Sequence, residues 1–129
     1  MYEYKAVITN VVDGDTFDMD IDLGFHIHIH ERVRLLNVDT PEKFGEEKPL
    51  GLIVKQYAIN HFLGKEVIIN SEKDDIAADT DSFGRWLVRV KVIEYDYDIS
   101  SIYNIIGVNK KYHSYSEDNV MHLEVEWSD

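Results

Sequence analysis

Polar and apolar residues alternate along much of this chain, and the period lengthens to that of a helix in two places. Val7 to Val12 is rich in β-branched residues, Asp13-Gly14 marks a tight turn, and Thr16 to Leu23 alternates, which predicts a hairpin. From His26 to Asn37 the alternation predicts a further strand. Ile27, Ile29, Val33 and Leu35 fall on one parity, with His26, His28, His30, Arg32 and Arg34 on the other. Asp39-Thr40-Pro41-Glu42 ends that strand, and Lys43 to Lys48 reads as a polar loop.

Pro49 suits the first turn of a helix, and Leu50, Ile53, Val54, Tyr57, Ala58 and Phe62 follow a 3.6-residue period until Gly64 stops it. The main helix is therefore predicted over Pro49 to Leu63. Glu66 to Asn70 reads as a short strand and Glu72 to Ser82 as an acidic loop. Arg85 to Glu94 alternates again, with Trp86, Val88, Val90 and Val92 on one side. Ile99 to Ile106 reads as a short second helix that Gly107 ends. Met121, Leu123, Val125 and Trp127 alternate with His122, Glu124 and Glu126, so residues 116–129 are predicted to close the chain as a strand. The pattern is mainly β with helices (α+β), that of a five-stranded OB-fold-like Greek-key barrel with one main helix and a short second one.

The chain has 129 residues, which fits one domain spanning 1–129. Its 44% apolar content supplies a core, and the absence of cysteine excludes a disulfide scaffold and thiolate metal sites. No segment approaches the roughly 18 apolar residues of a membrane span. No basic patch with an apolar stretch precedes the first strand, so the expectation is a soluble protein, cytoplasmic or of unassigned compartment, that stays where it is made unless a signal has been trimmed. The formal charge of −12 runs against the basic footprint of most nucleic-acid binders. By charge alone, the chain reads as one that avoids or mimics nucleic acid.

Three short runs change that picture: Val12-Asp13-Gly14-Asp15-Thr16, Arg34-Leu35-Leu36-Asn37-Val38-Asp39-Thr40-Pro41-Glu42, and Asp81-Ser82-Phe83-Gly84-Arg85. Asp15 and Asp39 each sit beside a turn at a strand end, and two carboxylates brought together there offer hard oxygen ligands for Ca²⁺ or Mg²⁺. Arg34 and Arg85 lie at the ends of separate strands, and guanidinium forks match phosphodiester oxygens. Glu42, behind a proline that fixes the local chain direction, is a candidate base for activating water. Together these groups form a set suited to phosphodiester hydrolysis.

In this order and spacing, the three runs resemble the staphylococcal nuclease (thermonuclease) family, over about Lys5 to Tyr115. The resemblance implies that Asp15, Asp39 and the Thr40 carbonyl bind Ca²⁺, that Arg34 and Arg85 clamp the phosphate, and that Glu42 activates or orients the attacking water. It also implies cleavage of DNA and RNA to 3′-phosphate ends. The family has two tyrosines near its nucleotide pocket. Here Tyr115 matches one, and His113 stands at the other with Tyr112 adjacent. Two further departures are a short loop after Glu42 and a predicted strand where the family often ends in a helix. Two rival readings are a catalytically silent nuclease-like binding module and an acidic nucleic-acid mimic acting on a protein partner. Retention of Arg34, Glu42 and Arg85 argues against the first, and the second rests on charge alone.

Other signals carry less. His26, His28 and His30 recur at every second residue, roughly 6–7 Å apart on a strand, where a straight backbone splays the imidazoles and suits a solvated face. Asp18, Asp20 and Asp22 mimic the start of an EF-hand loop, but the glycine falls one place late and Ile29 stands where the closing Glu belongs. Arg89 and Lys91 share parity with Arg85 and read equally as a basic track or as ordinary surface.

Overall fold

The computed structural model describes residues 2–71 and 86–127, with side chains from 3 to 71 and from 86 to 124. Arg85 and the acidic run from Glu72 to Ser82 lie outside the described residues. The strands are β1 (Tyr2–Asp13), β2 (Thr16–Asp22), β3 (His28–Leu35), β4 (Glu66–Ser71), β5 (Trp86–Val92) and a two-residue β6 (Tyr97–Asp98). The helices are α1 (Lys48–Phe62), α2 (Ile99–Ile106) and α3 (Glu117–Trp127).

The sheet order is β3-β2-β1-β4-β5-β6, and a further pairing of β3 with β5 closes the first five strands into a barrel. The closing pair is parallel, Val33 to Leu35 against Trp86 to Val88, and the other pairings are antiparallel. The architecture is thus an α+β, OB-fold-like barrel of mixed strands. Long β1 serves two neighbours. It pairs with β4 over Tyr2–Val7 and with β2 over Lys5–Asp13, and irregularities at Ile8/Asn10 and Val11/Asp13 bend it from one to the other.

Alternation predicts the core well. On β2, Phe17, Met19 and Ile21 point inward and are buried, as are Val88, Val90 and Val92 on β5. α1 lays Ile53, Val54, Ala58 and Phe62 against the barrel mouth, where Phe62 meets Phe17 edge-on at 6.3 Å and Tyr103 of α2 at 6.0 Å.

Two expectations are corrected. The chain does not end in a strand: Glu117–Trp127 is the helix α3, packed on α1. Val120 and Leu123, three apart, are buried while Met121 is exposed, so the buried period is helical. Ser116 caps its start, its hydroxyl accepting the Asn119 N–H at 3.0 Å, and Glu117 and Asp118 suit the positive end of the helix dipole. The strand predicted from His26 begins only at His28, because Gly24, Phe25 and His26 all take positive φ in the β2–β3 connection. Ile27 in that connection and Ile29, on the stretch of β3 that precedes its pairing with β5, are both exposed.

Candidate functional site

Asp13 pairs with Thr16 across the β1–β2 ladder, so Gly14 and Asp15 form a two-residue turn. The Asp15 carbonyl accepts the Leu35 N–H at 2.9 Å, tying that turn to the end of β3. Gly14 has no room for a side chain. A Cβ there would stand 2.5 Å from Val54 Cγ1 and 2.7 Å from Thr40 Oγ1, so α1 and the Thr40 segment close directly over the turn. From the other side, the buried Tyr103 hydroxyl donates to the Gly14 carbonyl at 2.5 Å.

Arg34 lies opposite Thr16 in the β2–β3 ladder. Its Nη2 donates to Asp15 Oδ2 at 3.3 Å and stands 3.7 Å from Asp39 Oδ1. The Thr40 N–H donates to the same Asp15 Oδ2 at 3.2 Å. Asp15, Arg34, Asp39 and Thr40, drawn from two separate runs of sequence, therefore meet at one guanidinium nitrogen and one carboxylate oxygen.

Asp15 is buried, and its carboxyl is pushed up to about 6. Burial is the main cause, and hydrogen bonding and repulsion from the Asp13 carboxylate add to it. Arg34 and the Thr40 N–H pull the other way without prevailing. This is a carboxylate short of positive charge. Asp15 and Asp39 offer hard oxygens of the kind a divalent cation takes. Among the described residues no group of three or more His, Cys, Asp or Glu side chains closes into a metal cage.

Asp39 is half-buried in a segment that follows Asn37, itself at φ 60°. The Lys110 N–H donates to the Asp39 carbonyl at 2.7 Å, and Lys110 Nζ stands 4.0 Å from Asp39 Oδ2. Lys110 spends its charge mainly on Glu47, at 3.0 and 3.1 Å, which holds the Glu47 carboxyl below its usual range. Glu47 in turn accepts the Glu42 N–H at 3.3 Å. The Glu42 side chain is exposed on this rim, and Lys43 reaches back to the Val12 carbonyl at 2.8 Å. Behind the rim, Gly51 of α1 packs so closely on the Glu42 backbone that a Cβ would overlap it.

The three aromatic candidates separate. Tyr112 and His113 are exposed and lie ring against ring at 4.2 Å. Tyr115 packs partly against the core, where burial first, then Glu117 and Glu47, raise its hydroxyl above the usual value, and Asp39 adds to the rise. On β3, His28 and His30 do share an outward face. His28 Nδ1 stands 3.0 Å from Asp20, and Arg32 forks onto Asp18 at 2.8 and 3.2 Å, while His26 lies in the connecting loop. That face is a ladder of opposite charges across two strands. Lys91 is paired with Asp96 at 2.8 Å.

Sequence reasoning missed Asp13, Glu47, Tyr103, Asn109 and Lys110. Only Asp13 carried a signal, as the other carboxylate of the Asp13-Gly14-Asp15 turn. The rest come from distant stretches that have no motif of their own. No protein-family model and no curated protein sequence matches this chain. No helix among the described residues is long and apolar enough to cross a membrane.

Proposed function

We propose that this protein is a Ca²⁺-dependent nuclease that hydrolyses phosphodiester bonds of DNA and RNA with little sequence preference. The single observation that carries the reading is the convergence of Asp15, Arg34, Asp39 and Thr40 at the barrel mouth, with Glu42 on the adjoining rim. These are the positions at which the chain resembles the staphylococcal nuclease family, and that resemblance supplies the 3′-phosphate products.

Arg34, whose side chain is one-fifth exposed, keeps donors of its fork available for a phosphate oxygen while the carboxylates hold its stem in place. Its charge stabilises the extra negative charge that gathers on phosphorus as water attacks. Glu42 takes the proton of that water, whose oxygen bonds to phosphorus as the bond to the 5′-oxygen breaks. The departing 5′-oxygen is protonated from solvent. A Ca²⁺ ion held by Asp15, Asp39 and the Thr40 carbonyl would neutralise phosphate charge and lower the pKa of bound water. Arg85 is assigned the second clamp by sequence position.

The test is digestion of plasmid DNA and of RNA in Ca²⁺, in Mg²⁺ and in EDTA. Cleavage of both substrates in Ca²⁺, poor cleavage in Mg²⁺ and none in EDTA is the expected result. Strong activity in EDTA would sink the mechanism, and no cleavage at high enzyme and millimolar Ca²⁺ would sink the function.

A further inference from the structure

Asn109 belongs to no motif, yet it is 3% exposed and uses its whole hydrogen-bonding capacity within the protein. Its Oδ1 accepts the Asp39 N–H at 3.0 Å and the Lys111 N–H at 3.1 Å. Its Nδ2 donates to the Asn37 carbonyl at 3.2 Å and to Asn104 Oδ1 at 2.9 Å. The amide fits in one orientation only, since two N–H groups face one end and two oxygens the other. We infer that Asn109 is a positioning residue that fixes the Asn37–Asp39 backbone, and through it the Asp39 carboxylate and Thr40, for cation binding. The inference rests on the metal role proposed for Asp15 and Asp39.

Asp39 needs such support. Among the described residues its carboxylate has only long ion pairs, with Arg34 at 3.7 Å and Lys110 at 4.0 Å. A carboxylate left loose in this way is available to a cation, but its own contacts do not fix where it stands. The backbone must do that. The chain around Asn37 has no ladder to hold it, because β3 ends at Leu35. Asn109 supplies partners on both sides of Val38, accepting from residue 39 and donating to residue 37, beside the Lys110 N–H that holds the Asp39 carbonyl at 2.7 Å. Its other contact, Asn104, sits on α2, the helix whose Tyr103 holds the Gly14 carbonyl. One helix and its exit thus brace both carboxylate-bearing turns, and their braces set how far Asp15 stands from Asp39.

No similar side chain substitutes. Aspartate would turn two donors into acceptors facing two oxygens, alanine or leucine would take the acceptor from two partly buried N–H groups, and glutamine is one methylene too long.

The decisive experiment compares Asn109→Ala with Val120→Ala, a core truncation in α3 that destabilises the fold without touching the site. Ca²⁺ affinity is read by calorimetric titration and segment order by amide hydrogen exchange. Asn109→Ala should weaken Ca²⁺ binding tenfold or more. It should also speed exchange at Asp39 and Lys111 at least a hundredfold beyond the change at β1 amides. Val120→Ala should leave Ca²⁺ binding within twofold. If Asn109→Ala does not fold, Asn104→Ala removes one of the four bonds and should weaken Ca²⁺ binding about threefold with the same exchange pattern. A folded Asn109→Ala with wild-type Ca²⁺ affinity, or an Asn104→Ala that matches wild type in both measurements, overturns the inference. A wild-type protein that binds no Ca²⁺ overturns the metal role instead, while exchange at Asp39 still reports whether Asn109 holds that segment.

Discussion

Asp15→Asn replaces the buried carboxylate with an amide of nearly the same shape, and the structure sets both the sign and the size of the effect on stability. The Asp15 carboxyl is pushed from 3.8 to about 6 by burial and by Asp13, a figure that already includes the opposing pull of Arg34 and the Thr40 N–H. Two pKa units at 1.36 kcal/mol each make about 3 kcal/mol. The folded protein holds this proton more tightly than the unfolded chain. The stability it contributes is therefore fully present below about pH 4, falls as pH rises, and is gone above about pH 6. The asparagine variant carries no such proton. Measured against wild type, its relative stability should thus rise by about 3 kcal/mol between about pH 4 and about pH 7.

Urea unfolding followed by tryptophan fluorescence, at a series of pH values in EDTA, measures this difference directly, because the other titrating groups are common to both proteins. Millimolar Ca²⁺ should then close the gap. It binds the ionised wild-type site and stabilises it by about 2.7 kcal/mol at a hundredfold excess over its dissociation constant, whereas the variant has lost a ligand charge. A difference that stays flat with pH to within about 0.5 kcal/mol would refute the reasoning. So would a variant that Ca²⁺ stabilises as much as wild type.

Three further outcomes are expected. Arg34→Lys should cost on the order of a hundredfold in kcat/KM, nearly as much as Arg34→Ala, because a point charge does not reproduce the fork; steady-state cleavage of an oligonucleotide decides it. Glu42→Gln should slow hydrolysis roughly a hundredfold yet keep the Ca²⁺-induced rise in melting temperature, since it is the Glu42 N–H, not its side chain, that bonds to Glu47. Oligonucleotide binding to this Glu42→Gln variant, read by fluorescence anisotropy, should be weak in EDTA and appear with Ca²⁺, because the net −12 charge gives no long-range attraction; tight binding in EDTA would point to a cationic surface elsewhere.

Much of the fold was legible because burial on this barrel follows simple parity. Phe17, Met19 and Ile21 alternate with Asp18, Asp20 and Asp22, and each set goes where its hydration dictates. Parity failed where the barrel ends. Ile29 keeps the inward phase of Val33 and Leu35, but it precedes the β3–β5 pairing and stays exposed. It failed again after Ser116, where four apolar residues at even spacing imitate a strand. The Ser116 hydroxyl caps a helix there whose first turn is acidic, with Val120 and Leu123 on its buried side.

The site was legible for a different reason, and only in part. Asp15, Arg34, Asp39 and Thr40 are neighbours in space because a tight turn and a strand end are locally encoded, and Leu35 N–H to Asp15 carbonyl joins the two. Short-range rules can find residues of that kind. Asn109 and Tyr103 reach the same turns across 70 to 89 residues of chain, and Lys110 reaches Glu47 on the rim across 63, each through only one or two hydrogen bonds. Such bonds leave no period and no spacing behind, because closure by a distant side chain depends on where the barrel puts two backbones and not on what lies beside either one. The groups that perform the proposed chemistry are thus written in local runs, while the groups that set its geometry emerge only from the closed fold. A close match at the former therefore says little about how well an individual chain binds its ion. On the role inferred for Asn109, that affinity would rest on residues which two chains with the same motifs need not share.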